Sequence, residues 1–155
     1  MSAEVPDVAL AEVVARLRRA MRRAARNADP SNTLSVAQLE LLSCLAENPG
    51  AGPSRLAHVL RLAPNSVTTM VNGLRARDLV SRTSGEDDRR TVALALTGQG
   101  REAVHRWHGH NAEILETAMA RLHPAWQHLL TAALPALHQL VGAIDDLAED
   151  ADERR

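Results

Sequence analysis

The stretch from Arg55 to Thr97, RLAHVLRLAPNSVTTMVNGLRARDLVSRTSGEDDRRTVALALT, constrains this chain more than any other. It reads as two short helices, then two strands joined by a charged loop. The second helix opens at Pro64, a favoured first helical position because the missing N–H would be unpaired there anyway. Val67, Met70, Val71 and Leu74 recur at i, i+3, i+4 and i+7, the signature of one buried helical face. Burying that stripe turns Asn65, Thr68, Thr69, Asn72 and Arg75 outward, with Ser66 at the edge. Residues 79–83 read as one strand and 91–96 as its partner, with Val92, Leu94 and Leu96 alternating. The intervening SGEDDRR is longer than a tight hairpin needs. A helix-turn-helix carrying a β-wing is the smallest arrangement that satisfies all of this.

Amphipathic helices flank this stretch. Over residues 8–28, Leu10, Val14, Leu17, Met21 and Ala24 form an apolar stripe, with Arg16, Arg19, Arg22, Arg23 and Arg26 mostly on the other side. Asn27-Ala28-Asp29-Pro30 ends that helix. Ser35 caps a second helix, with Gln38 completing a capping box, and Asn48-Pro49-Gly50 stops it. Thr97 caps a fifth helix over about 98–122. A sixth runs from Pro124 to about 147, with a kink expected one turn before Pro135 and fraying from Asp145. The outer helices are candidates for packing against a partner subunit. The fold expected is mainly α (α+β): one domain over 1–155, with a winged region at 34–98 and dimerisation helices at 6–28 and 99–147.

Composition narrows the function classes. Phe and Tyr are absent, so the core must be Leu, Val and Ala, which favours helices. All 18 basic residues are Arg, and Arg grips phosphate bidentately where Lys does not. The net charge of −1 announces no polyanion partner, but its distribution is uneven. Residues 54–91 hold seven Arg against four acids, and 101–155 hold five against nine. A basic middle fits one nucleic-acid-facing surface. The single cysteine excludes an intramolecular disulfide framework. No apolar run reaches membrane-spanning length and no secretory h-region is present, so a cytoplasmic location without membrane contact is expected. A nucleophile elbow, phosphate-binding glycine loop, zinc motif and paired carboxylates are all missing, which argues against an enzyme and against a cofactor.

The outward face of the fourth helix suits the major groove of double-stranded DNA, where donors, acceptors and thymine methyls distinguish base pairs. Asn65, Ser66, Thr68, Thr69 and Asn72 are short polar side chains, unlike the Glu and Arg that fill ordinary exposed helix positions. Pro64 places the helix N-terminus, with its unpaired N–H groups, near a phosphate, and Ser54 opens the preceding helix. Arg61, Arg75 and Arg82 are placed to hold the DNA backbone. Arg89 and Arg90 at the wing tip suit a narrow minor groove, and Asp88 is read as orienting an Arg rather than facing phosphate.

These pieces together resemble the MarR family of winged-helix transcriptional regulators. The resemblance is carried by Ser35-Val-Ala-Gln38-Leu, Leu56-Ala57, Ser66-Val-Thr68, Leu79-Val-Ser-Arg82, Asp88-Arg-Arg90 and Leu96-Thr97-Gly-Gln-Gly100-Arg. It implies a homodimer on a palindromic operator, usually a repressor, with the fourth helix reading DNA. It also implies that Arg90 enters the minor groove, steadied by Asp88, and that a small aromatic anion bound beneath the dimer helices releases DNA. Trp107 is the candidate for lining such an effector cavity, although ordinary core or dimer packing is the favoured account of any single residue. Two positions depart from the family pattern. Ala63 replaces the usual hydroxyl cap of the fourth helix, and Asp78 stands where Gly is common.

Alternatives remain open. His105 and His108, at i and i+3, would be the ligands of a zinc-sensing version. A helical dimer could instead use the winged module to bind protein. Cys44, flanked by Leu41 and Leu45 with no adjacent base, reads as a small apolar residue rather than a redox sensor.

Overall fold

Among the described residues, 6–84 and 92–153, a computed structural model shows six helices and two strands. Their order is α1 (Pro6–Ala28), α2 (Val36–Glu47), α3 (Pro53–Leu60), α4 (Pro64–Ala76), β1 (Val80–Ser84), β2 (Val92–Leu96), α5 (Gly98–Met119) and α6 (Pro124–Glu153). The strands pair antiparallel, with Val80 opposite Leu96 and Arg82 opposite Leu94. The mainly α winged helix expected from the sequence is present. The chain divides into two compact units, residues 1–114 and 115–155.

The local start signals act as expected. The Ser35 hydroxyl accepts from the Gln38 N–H at 3.2 Å, and the Gln38 side-chain carbonyl accepts from the Ser35 N–H at 2.9 Å. This reciprocal pair satisfies two donors that α2 would otherwise leave orphaned. Thr97 opens α5 in the same way, its hydroxyl accepting from the Gly100 N–H at 3.0 Å. The same hydroxyl donates to the Asp78 carbonyl at 2.6 Å, tying the end of α4 to the start of α5.

The core of the first unit is aliphatic. Leu41, Leu42 and Leu45 of α2, Leu56 of α3, Val67, Val71 and Leu74 of α4, and Leu94 of β2 are all under 2% exposed. α4 is thus held by its apolar stripe against α2 and α3, which fixes its polar face outward. Burial on this scale contributes about 1.5–3 kcal/mol per large side chain. The loop between α2 and α3 adds two backbone bonds to β2: Gly50 N–H to the Leu94 carbonyl and Leu94 N–H to the Ala51 carbonyl, each 3.2 Å. Gly50 reaches this position at φ +82°, which only glycine adopts without strain. Gly100 packs so tightly that a Cβ there would lie 2.0 Å from the Leu79 carbonyl oxygen.

Boundaries differ from the sequence expectation at the C-terminal end. α5 stops at Met119, because Pro124 biases His123 away from helical geometry and the His123 ring accepts from the Ala125 N–H at 3.2 Å to cap α6. α6 runs unbroken through Pro135. By helical periodicity Pro135 lies opposite the apolar stripe, where water can take the Thr131 carbonyl that loses its partner. α6 also continues past Asp145 to Glu153 instead of fraying. Leu147 and the alanines of that segment are strong helix formers.

α1 and α6 contribute no buried residue among those described. Val13 and Leu17 of α1 are 59% and 53% exposed, and Trp126, Val141 and Leu147 of α6 are 62%, 58% and 67% exposed. No helix among the described residues is long and apolar enough to cross a membrane.

Candidate nucleic-acid interface

The predicted contact residues of α4 share one exposed surface. Pro64, Asn65, Ser66, Thr68, Thr69, Asn72 and Arg75 are all exposed, while Val67 and Val71 between them are buried. Ala63 is in extended backbone (φ −60°, ψ 134°) and supplies no side-chain cap. The first amides of α4 therefore have no side-chain partner at Ala63, an arrangement suited to an anion.

The threonine hydroxyls are already committed as donors. Thr68 Oγ1 donates to the Pro64 carbonyl and Thr69 Oγ1 to the Asn65 carbonyl, both at 2.9 Å. What these side chains present outward is an acceptor oxygen and a methyl group. The helix geometry turns each threonine outward as an acceptor, because its hydroxyl finds the carbonyl one turn back. The face can thus accept from a base amino group, meet a thymine methyl, and use the Asn65 and Asn72 amides in both directions.

Basic groups frame this surface. Arg61 is exposed and caps α3 in the left-handed conformation, φ 52°. Arg75 and, on β1, Arg82 are exposed, and so is Ser54 in the first turn of α3. The wing residues Asp88, Arg89 and Arg90 lie outside the described residues.

A residue that the sequence did not single out ties this interface to the rest of the unit. Arg77, directly after α4, donates through Nη1 to the Thr33 carbonyl at 3.4 Å and through Nη2 to the Thr33 hydroxyl. Its only signal in the sequence was a cation at a helix C-terminus. Arg77 also lines a cavity of about 560 Å³ together with Asp29, Leu39, Arg106, Trp107 and His110. Trp107, the candidate effector contact, is in this wall. The Ser31 hydroxyl, 2.6 Å from Asp29 Oδ1, holds the Asp29 carboxyl below the usual carboxylate range, and the charge of His110 acts in the same direction.

His108, one of the two candidate zinc ligands, has other neighbours. His108 Nε2 lies 3.1 Å from the Ser43 hydroxyl and its ring is 5.4 Å from that of Trp107. No three His, Cys, Asp or Glu side chains among the described residues converge on one point. Cys44 is buried, and that burial, with the nearby Glu47 charge, pushes its thiol above the usual range.

An exposed polar helix backed by a second helix and followed by a two-stranded ribbon defines a winged helix-turn-helix of the DNA-binding type. Comparison with known proteins sharpens this. The MarR family model matches residues 34–92. The HTH-type transcriptional regulator YhbI of Bacillus subtilis is 32% identical over 121 residues, 78% of this chain and 74% of that protein. The HTH-type transcriptional repressor MdtR, also of Bacillus subtilis, is 34% identical over 67 residues, 43% of each chain. The crystal structure of Streptococcus pneumoniae FabT in complex with DNA shares the fold, with a TM-score of 0.71 at 19% identity over 90% of this chain and 99% of that one. The chain belongs to the MarR family: it is a transcriptional regulator and not an enzyme.

Proposed function

We propose that this regulator is a homodimeric, effector-responsive repressor that sets α4 of each subunit into successive major grooves of a palindromic operator. The observation that carries the reading is the polar face from Asn65 to Asn72, exposed along its length and fixed by the buried Val67, Val71 and Leu74. Asn65, Ser66, Thr68, Thr69 and Asn72 read base edges. Ser54, Arg61, Pro64, Arg75 and Arg82 hold phosphates. Arg89 and Arg90 enter the minor groove with Asp88 steadying them, as the sequence resemblance implies.

Dimerisation through helices 6–28 and 99–147 is supported by the apolar side chains that α1 and α6 leave in water. The repressor role is supported by likeness to MdtR, and DNA as partner by likeness in fold to FabT, which was crystallised with DNA. An effector site is supported by the cavity beside Trp107, whose volume of about 560 Å³ falls within the range of small-molecule sites. Work on chromosomal DNA places the protein in the cytoplasm.

Selection of bound duplexes from a random pool tests this reading. Enrichment of a palindrome with half-sites about one helical turn apart is the expected result. Absence of salt-dependent binding to any duplex would overturn it.

A further inference from the structure

We propose that the arginine face of α1 is a second DNA contact, one that grips phosphates without reading sequence. It adds a surface to the α4 interface proposed above. α1 carries Arg16, Arg18, Arg19, Arg22, Arg23 and Arg26, six of the chain's 18 arginines, and all six are exposed. None makes an ion pair among the described residues. At 100° per residue they fall within an arc of about 160°, on the side of the helix away from Leu10, Val14 and Leu17. A dimer that covers the apolar stripe leaves this arc in solvent.

A face that is merely solvated would be composed differently. Exposed helix faces mix acids with bases, so that neighbours one turn apart attract. Between Val8 and Arg26 the only acid is Glu12. Arginines instead stand three or four residues apart all along the arc, from Arg16 and Arg19 to Arg23 and Arg26, and each such pair repels. A row of phosphates relieves these repulsions together. The face also differs from that of α4. It holds no Asn, Gln, Ser or Thr with which to read a base edge, whereas the guanidinium fork suits phosphate. The charge density fits a duplex: Arg16 to Arg26 spans about 15 Å of helix, and 15 Å of duplex carries about nine phosphates. An anionic membrane fits less well. A helix lying in a bilayer surface sinks its apolar stripe into the lipid, and here the dimer takes that stripe.

Two full-length triple variants, one from each edge of the arc, test the proposal: R16Q/R19Q/R23Q and R18Q/R22Q/R26Q. Glutamine keeps helix propensity and removes the charge. Affinity is measured across a salt series for the selected operator as a bare palindrome and with long flanks. In parallel, protein held on immobilised operator is offered a labelled duplex of unrelated sequence. On the bare palindrome both variants should match wild type. With flanks, or in capture of the second duplex, each should lose about one to three units of salt slope per subunit, at about 0.9 per phosphate contact. A loss confined to the flanked operator places the phosphates on the same duplex, and a loss of capture places them on a second one; either supports the proposal. Slopes and capture equal to wild type in both variants would overturn it. So would equal weakening on the bare palindrome, a fall to monomer in sedimentation velocity, or loss of binding to phosphatidylglycerol vesicles but not to DNA. If wild type selects no operator, the α4 reading fails instead, and retention of unrelated duplex by wild type but not by the variants still decides this one.

Discussion

The guanidinium of Arg77, at the end of α4, grips both the carbonyl and the hydroxyl of Thr33, in the linker ahead of α2. The orientation of α4 is thereby tied to a segment that also lines the cavity beside Trp107. A molecule entering that cavity would meet the same arginine that holds the linker.

Arg77→Ala should therefore loosen the linker more than it destabilises the protein. Hydrogen exchange at Leu34 and Ser35 is expected to speed up, while unfolding free energy falls by less than about 1 kcal/mol, as for other exposed charged contacts. Arg77→Lys should act in the same direction, because one ammonium cannot span both acceptors. Unchanged exchange in Arg77→Ala would show that the contact does not restrain the linker.

Gly100→Ala should be among the costliest single substitutions in the chain. The added Cβ would sit 2.0 Å from the Leu79 carbonyl oxygen, a backbone atom that cannot rotate away. Separating α5 from the end of α4 should cost at least about 1–3 kcal/mol, measured by chemical denaturation.

Ala63→Ser should stabilise. The backbone at Ala63 is already extended and α4 has no side-chain cap, so a hydroxyl there can accept from an amide of the first turn. A gain of about 1 kcal/mol is expected from thermal or chemical unfolding. A loss would show that the entry to α4 differs from the geometry described.

Thr69 separates two modes of reading. Thr69→Val keeps the shape and the methyl but removes the acceptor oxygen; Thr69→Ser keeps the oxygen and removes the methyl. Against single-base variants of the selected operator, the two substitutions should relax preference for different bases, by about 1–3 kcal/mol at the contacted position. Identical profiles for both variants and wild type would remove Thr69 from the interface.

Cys44 should behave as a core residue. Its folded pKa is raised by burial and by Glu47, so the thiol stays protonated at neutral pH and alkylation of the native protein should be slow until denaturant is added. The stability it contributes is complete below the ordinary thiol pKa. It declines only as pH rises from there through the raised folded value. Rapid alkylation under native conditions would revive a redox role.

What the sequence determined by itself lies within about four residues along the chain. The α4 stripe from Val67 to Leu74, the Ser35–Gln38 box and the missing cap at Ala63 are each set by neighbours one helical turn away, and all three are found as expected. The outward face of α4 followed from the same periodicity, since burying one stripe exposes the other. Tertiary structure decided what joins distant segments. The reach of Arg77 to Thr33 spans 44 residues, the approach of Gly100 to Leu79 depends on how α5 docks, and the cavity around Trp107 exists only because α2, α5 and the linker converge. No periodic pattern encodes such contacts; they arise when apolar burial brings the elements together. The hydrogen roles of Thr68 and Thr69 belong to an intermediate case. The carbonyl each one bonds is four residues away, but only a formed helix brings it within reach.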